Sequence, residues 1–208
     1  MSRVAHVIGN GPKAALYKPS KGIKITCNLP PFEVENTYTT CMVDFKMMKA
    51  IHEQSVTVPG DWVLGFRPKM WCQKHPDFQL KYAMHIKEFF VDLPKYAMKP
   101  GENVGMGYTN FNCGHFAVYY TAKRVQADEI HMYGFDSLFD MDLRSCTDFY
   151  LGSDRGATNN VRLADNWRPI WPQMFKEFPN TKFVLHHNHD EIKINLPKNA
   201  ETFVSSKK

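Results

Sequence analysis

The chain has 208 residues, of which 43% are apolar and 13% aromatic, and these values predict one globular domain with a buried core. The formal charge of +5 favours an anionic partner such as a nucleotide and leaves nucleic acid as an alternative, although the basic residues are not clustered. The five cysteines form no CxxC pair, and no apolar run approaches the roughly 20 residues of a membrane span. The sequence therefore argues against a disulfide framework, a zinc ribbon and a membrane protein, and we expect a soluble, cytoplasmic protein without a signal peptide.

Strands and helices alternate in the first half of the sequence. Val4–Ile8 is predicted as a short buried strand, and Pro12 suits the first turn of a short helix in "PKAALYK". Two more strands are predicted in "GIKITCNL" and "TTCMVDF", and a helix is predicted in "FKMMKAIHEQ". The middle is less regular, with strands expected at 62–66 and 85–91 and a loop in "PKYAMKPGENVGMGYTN".

The second half shows the same alternation. Asn112 is a good N-cap for a helix over 113–126, and "EIHMYGFD" is predicted as a strand that ends at Asp136. "RPIWPQMFKEF" and "TKFVLHH" are predicted as a further helix and strand. This order predicts an α/β fold with a mostly parallel sheet, a single domain over residues 1–197 and a flexible tail over 198–208.

Polar residues and glycines follow the predicted strands, where ligands of such sheets bind. The turn Gly9, Asn10, Gly11 and Pro12 is either an ordinary structural turn or a place where the backbone approaches a phosphate. Asn28 is either a turn former or an amide that faces a ligand, and Asp44 stands in the same position after the third strand.

The start of the predicted helix at 113 is a further candidate. Asn112, Cys113 and Gly114 either cap and pack the helix or offer amides to an anion. A nucleophilic role for Cys113, activated by the helix terminus and His115, is a third alternative. Asp136 at the end of its strand either contacts a ligand hydroxyl or caps a following turn.

The segment "LHHNHD" contains three histidines. On an extended chain His187 and His189 share a face, which suits a general base, half of a metal site or a polar pocket lining. The segment does not supply a complete set of metal ligands, so we predict neither a metal nor another cofactor.

The pieces "VIGNGP", "ITCNLPPF" and "CGHFAVYYTAKRVQADEIHMYGFD" occur in an order that resembles the bacterial sialyltransferases of glycosyltransferase family 42 and the related motility accessory factors that glycosylate flagellin. The resemblance covers roughly residues 4–45 and 108–137. It implies a Rossmann-like fold with helices flanking the sheet, and a CMP-sugar bound without a metal.

The resemblance also implies roles for individual residues. Gly9, Asn10 and Gly11 would approach the phosphate and ribose of the nucleotide, and Asn28 would match a substrate-contacting Asn. The remaining matches are Asp44 near a second Asn of the family, Asn112–Gly114 at a segment that cradles cytidine and the sugar carboxylate, and Asp136 at the end of the family's G-x-D strand.

Three departures from the family pattern change these expectations. Lys13 stands where the family has Ser, and Cys113 replaces a hydroxyl residue. The family's general-base His lies before the last helix, where this chain reads "RLADNWRPIW". We therefore expect Asp136, His187 or His189 to position or deprotonate the acceptor.

The leading hypothesis is a metal-independent, glycosyltransferase-like enzyme that uses a nucleotide-activated sugar. The alternatives are a nucleotide or nucleotide-sugar hydrolase or phosphotransferase on the same scaffold, and a non-catalytic nucleotide-binding module. The identity of the sugar, the acceptor and the oligomeric state are left open by the sequence.

Overall fold

The computed structural model describes residues 2–98, 101, 111–139, 166–192 and 194–205. Within these residues eight strands form one sheet, and every strand pairing is parallel. The strands are β1 (Val4–Ile8), β2 (Ile23–Cys27), β3 (Thr37–Met42), β4 (Trp62–Leu64), β5 (Ile86–Phe89), β6 (Glu129–Tyr133), β7 (Lys182–His187) and β8 (Ala200–Val204). The predicted α/β, Rossmann-like fold is thereby confirmed.

Helices cover both faces of the sheet. They are α1 (Phe45–His52), α2 (Phe66–Lys74), α3 (Pro76–Lys81), α4 (Cys113–Tyr120) and α5 (Ile170–Glu177), and 3₁₀ turns occupy Pro12–Leu16, Lys95–Ala97 and Asp136–Leu138. One core joins α4 and α5 to β1, β6 and β7, while a second core joins α1, α2 and α3 to β3 and β4. No helix in the described ranges is both long and apolar enough to cross a membrane.

Buried apolar runs explain why the central strands form. In β1 the four residues from Ala5 to Ile8 are buried, as is typical of a parallel strand covered on both faces. Alternation then divides the strand between two cores, because Ala5 and Val7 pack toward α4 and α5 while Ile8 packs under the 3₁₀ turn.

Four elements differ from the sequence-based expectations. The segment predicted as a flexible tail contains β8, which pairs with β7 through its backbone although four of its five residues are exposed. The helix expected over 113–126 is α-helical to Tyr120 and continues as a π-helical turn over Thr121–Val125. Helices α2 and α3 were not predicted, because α2 buries only Pro68 and Cys72 and has a weak apolar period. Most of the loop predicted in "PKYAMKPGENVGMGYTN" lies outside the described residues.

The strand order places the predicted site beyond the carboxyl ends of the central strands β1 and β6. The order is β5-β4-β3-β2-β1-β6-β7-β8, so the chain changes its direction of winding between β1 and β6. Ligands of open α/β sheets bind beyond the carboxyl ends of the strands at such a point. The turns after β1, β6 and β7, which contain Gly9–Pro12, Asp136 and His189, lie beyond these carboxyl ends.

Candidate functional site

The turn after β1 lies against the turn after β6. The Gly9 amide donates to the Tyr133 carbonyl at 2.7 Å, and the Gly11 amide donates to the Gly134 carbonyl at 2.9 Å. A Cβ atom at Gly11 would lie 1.9 Å from Oδ2 of Asp136. The absence of side chains at Gly9 and Gly11 is therefore explained by contact between two turns, and both amides are already hydrogen-bonded.

Asn10 and Pro12 have different positions in this turn. Pro12 begins the 3₁₀ turn Pro12–Leu16, as its fixed φ angle favours. The side-chain oxygen of Asn10 is buried and has no hydrogen-bond partner among the described residues. A buried acceptor without a donor is costly in free energy, so Asn10 is suited to receive a hydrogen bond from a ligand.

Asp136 joins the turns after β1 and β7. Its Oδ2 accepts the backbone N–H of Lys13 at 3.0 Å, and its Oδ1 lies 2.7 Å from Nε2 of His189. The side chain of Asp136 is 2% exposed and that of His189 is 14% exposed. When the carboxylate is ionised, Nε2 of His189 holds the proton and Nδ1 holds a lone pair, which is the arrangement of an oriented general base.

His187 contacts His189 through a hydrogen bond and a shared aromatic neighbour. Its Nδ1 accepts the backbone N–H of His189 at 3.2 Å, and the Phe139 ring stacks on both imidazoles, with centroids 4.2 and 4.9 Å away. Burial, and secondly the nearby His189, lower the pKa of His187. His187 and His189 thus lie together, and their contacts indicate a positioning role for His187.

Asn28 and Cys113 contact each other next to β3. Asn28 is buried and has a φ angle of +47°, a left-handed conformation that Asn adopts more readily than most residues. The Cys113 thiol donates to the Cys41 carbonyl at 3.1 Å and lies 3.6 Å from Oδ1 of Asn28. Burial raises the pKa of Cys113 well above its ordinary value, so the structure keeps the thiol protonated and gives no support to a nucleophilic role.

The start of α4 is a closed capping box. The Asn112 side chain accepts the His115 backbone N–H at 3.0 Å, and the Asn112 backbone N–H donates to Nδ1 of His115 at 3.2 Å. At Gly114 a Cβ atom would lie 2.9 Å from Cε1 of Phe135. Asn112 and Gly114 therefore have structural roles in capping and close packing.

His115 makes folding stability depend on pH. Its Nε2–H donates to the Trp167 carbonyl at 3.1 Å, and burial lowers its pKa from 6.5 to about 3. Below pH 6.5 His115 is protonated in the unfolded chain and stays neutral in the folded chain. The free energy of unfolding should therefore fall by about 2 kcal/mol between pH 6.5 and 5. Urea unfolding at both pH values measures this loss. His115→Gln should have a flatter pH profile, and an equally steep profile in that variant would contradict the assignment.

Asp44 follows β3, which lies two strands from β1 and three strands from β6 in the sheet. It precedes α1 without capping it, and its Oδ1 lies 3.6 Å from the Arg67 guanidinium. Arg67 also lines a small, mostly apolar pocket with Val43, Phe66, Leu93, Phe111 and Phe116. The structure therefore separates Asp44 from Asp136 and His189.

Sequence reasoning missed Arg168. This residue precedes α5, and its Nε–H donates to the Ser137 carbonyl at 2.9 Å, directly beside Asp136. Arg168 stands in a region whose sequence, "NWRPIW", matches no binding pattern, so only the folded chain shows its position.

A row of three histidines on one face of the sheet was also missed. The rings of His6 and His131 stack at 5.1 Å, and Nδ1 of His131 lies 2.7 Å from Nε2 of His186. Burial, with His131 next in importance, lowers the pKa of His186 to about 4. Strand alternation sends His186 to this face and His187 to the other, which could have been recognised from the period of two.

The described residues do not contain a group of three or more histidine, cysteine or acidic side chains that could hold a metal ion.

No protein-family model matches the chain, and the searches of curated proteins and of solved structures found no significant match.

Proposed function

We propose that the chain is a glycosyltransferase-like enzyme that takes a sugar from a nucleotide-activated donor without using a metal. The observation that carries this proposal is the 2.7 Å contact between Asp136 and His189, beside the point where the strand order reverses. A CMP-sugar is the first donor to test, because "VIGNGP" and "EIHMYGFD", the segment that runs from β6 into the turn at Asp136, resemble the family 42 sialyltransferases.

His189 is the general base of the proposed reaction. Its Nδ1 accepts the proton of the acceptor hydroxyl while the hydroxyl oxygen bonds to the anomeric carbon of the sugar. The bond between that carbon and the phosphate oxygen breaks, and its electron pair leaves with the nucleotide. Asp136 stabilises the imidazolium formed on His189, as a buried carboxylate does in other base dyads.

The turn after β1 contributes differently from the sequence-based expectation. The Gly9 and Gly11 amides bind carbonyls of the neighbouring turn, so we do not assign them to the phosphate. In this proposal the buried Asn10 side-chain oxygen accepts a hydrogen bond that a hydroxyl of the donor nucleotide donates.

A turnover assay tests the proposal. The wild-type chain is incubated with CMP-, UDP- and GDP-sugars, with and without a panel of mono- and disaccharide acceptors, and nucleotide release and sugar products are measured. The expected result is release from one donor class that an acceptor accelerates, together with a glycosylated product.

The remaining outcomes separate the alternatives. Release that is equally fast without an acceptor supports a hydrolase, since the Asp136–His189 pair can activate water in the same way. Donor binding without turnover supports a non-catalytic module. No binding of any nucleotide sugar or nucleotide contradicts the proposal and both alternatives.

A further inference from the structure

Two residues with cationic side chains contact the turn that contains Asp136, Arg168 through its guanidinium and Lys13 through its backbone. The backbone N–H of Lys13 binds the Asp136 carboxylate at 3.0 Å from the β1 side. The Arg168 guanidinium binds the Ser137 carbonyl at 2.9 Å from the segment before α5. The two residues therefore approach the same three-residue turn from different parts of the chain.

Arg168 is held in place by its neighbours. The carbonyl of the preceding residue, Trp167, accepts the hydrogen bond from the buried imidazole of His115 at 3.1 Å. The bond to Ser137 uses one of the five N–H donors of the guanidinium. Because of this bond to Ser137, the charge of Arg168 lies beside Asp136. Arg168 is half-buried, so its charge is less screened by solvent than a fully exposed charge.

The proposed reaction requires a positive group at this position. A departing nucleotide phosphate is an anion, and the Asp136 carboxylate next to it would repel it. The turn amides at Gly9 and Gly11 are already hydrogen-bonded to the turn after β6. Arginine binds phosphate through two parallel N–H groups, and lysine binds it as a point charge.

We propose that Arg168, with Lys13 as a second cation, binds the phosphate of the donor nucleotide. This inference rests on the proposed function, because that function supplies the phosphate. It assigns a binding role to Lys13, which replaces the Ser of the family pattern, and to Arg168, which the sequence did not indicate.

Binding measurements with three probes test this assignment. CMP, cytidine and inorganic pyrophosphate are titrated calorimetrically into the wild-type full chain, Arg168→Gln, Lys13→Gln and a control, Arg124→Gln. Arg124 is an exposed residue that pairs with Glu88 on the edge strand β5, so it has the same charge but lies elsewhere. Thermal unfolding of each variant verifies that it is folded.

The expected result is a loss of CMP and pyrophosphate affinity of about 10- to 100-fold in Arg168→Gln, as the removal of a charged hydrogen-bonding group produces. Lys13→Gln should weaken both probes less, and cytidine binding and the Arg124→Gln control should be unchanged. If Arg168→Gln does not fold, Arg168→Lys replaces it, and its expected loss is smaller because the charge is kept while the paired N–H groups are lost.

The outcomes distinguish this inference from the proposed function. Equal CMP affinity in the wild type and the Arg168 variant would overturn the inference and leave the function standing. Arg168-dependent binding of pyrophosphate without any CMP or donor binding would support the anion site and contradict the function. No binding of pyrophosphate, CMP or any other nucleotide to the wild type would overturn both.

Discussion

Replacement of His189 with Gln is expected to lower the rate of sugar transfer by about 10²- to 10⁴-fold, the usual contribution of a positioned general base. The Gln side chain can still hydrogen-bond Asp136, but it has no nitrogen that accepts the proton of the acceptor hydroxyl. Donor affinity should change little, because His189 acts on the acceptor. The measurement is kcat and KM with the donor that the turnover assay identifies.

Two comparisons make this result specific. His85→Gln is the matched control, because the partly buried His85 lies beside the edge strand β5, where Nδ1 bonds the Gly60 carbonyl and the ring stacks on Trp62. The rate of this variant should equal that of the wild type. Asp136→Asn should also be slow, because an amide donor at that position favours the wrong tautomer of His189. A variant that keeps a third or more of the wild-type rate would contradict the role of His189.

Replacement of Gly11 with Ala is expected to lower the free energy of unfolding by about 3–4 kcal/mol, at the upper end for overpacking. The added Cβ would lie 1.9 Å from Oδ2 of Asp136 and 2.5 Å from the Gly134 carbonyl oxygen. Neither atom is the end of a flexible side chain, since the carboxylate is buried between two partners and the oxygen belongs to the backbone. Thermal unfolding should show a fall in Tm of roughly 6–16 °C.

Gly60→Ala serves as the control for this substitution. A Cβ at Gly60 would meet no atom within 4 Å, and only its φ angle of +76° opposes a side chain. That strain is expected to cost about 1–2 kcal/mol. Equal losses in the two variants would show that the turns after β1 and β6 are not packed against each other as described.

Much of the fold follows from local patterns. The buried run of β1, the Pro12 that begins a 3₁₀ turn and the Asn112 cap are recognisable because propensity, burial and capping agree at each of them. β8 was not recognised because its four exposed residues lack an alternating pattern, and its position depends on pairing with β7.

The sequence predicted several residues of the candidate site, but it did not predict which of them contact each other. Asp136 and His189 were each indicated by their position after a strand, but they are 53 residues apart, and their contact depends on β7 lying beside β6. The sequence shows that Gly11 lacks a side chain and does not show what fills the space. In the folded chain that space is filled by Asp136. Arg168 is a single basic residue in an apolar segment, and no spacing rule marks it.

A structure of the chain determined with a saturating concentration of CMP tests the central claim most directly. The account predicts that the nucleotide lies over Gly9–Pro12, with its phosphate within hydrogen-bonding distance of Arg168. The phosphate oxygen that carries the sugar in the donor should face Nδ1 of His189. A nucleotide bound elsewhere on the chain, or a crevice between the turns after β1, β6 and β7 that stays empty while CMP is in excess, would contradict it.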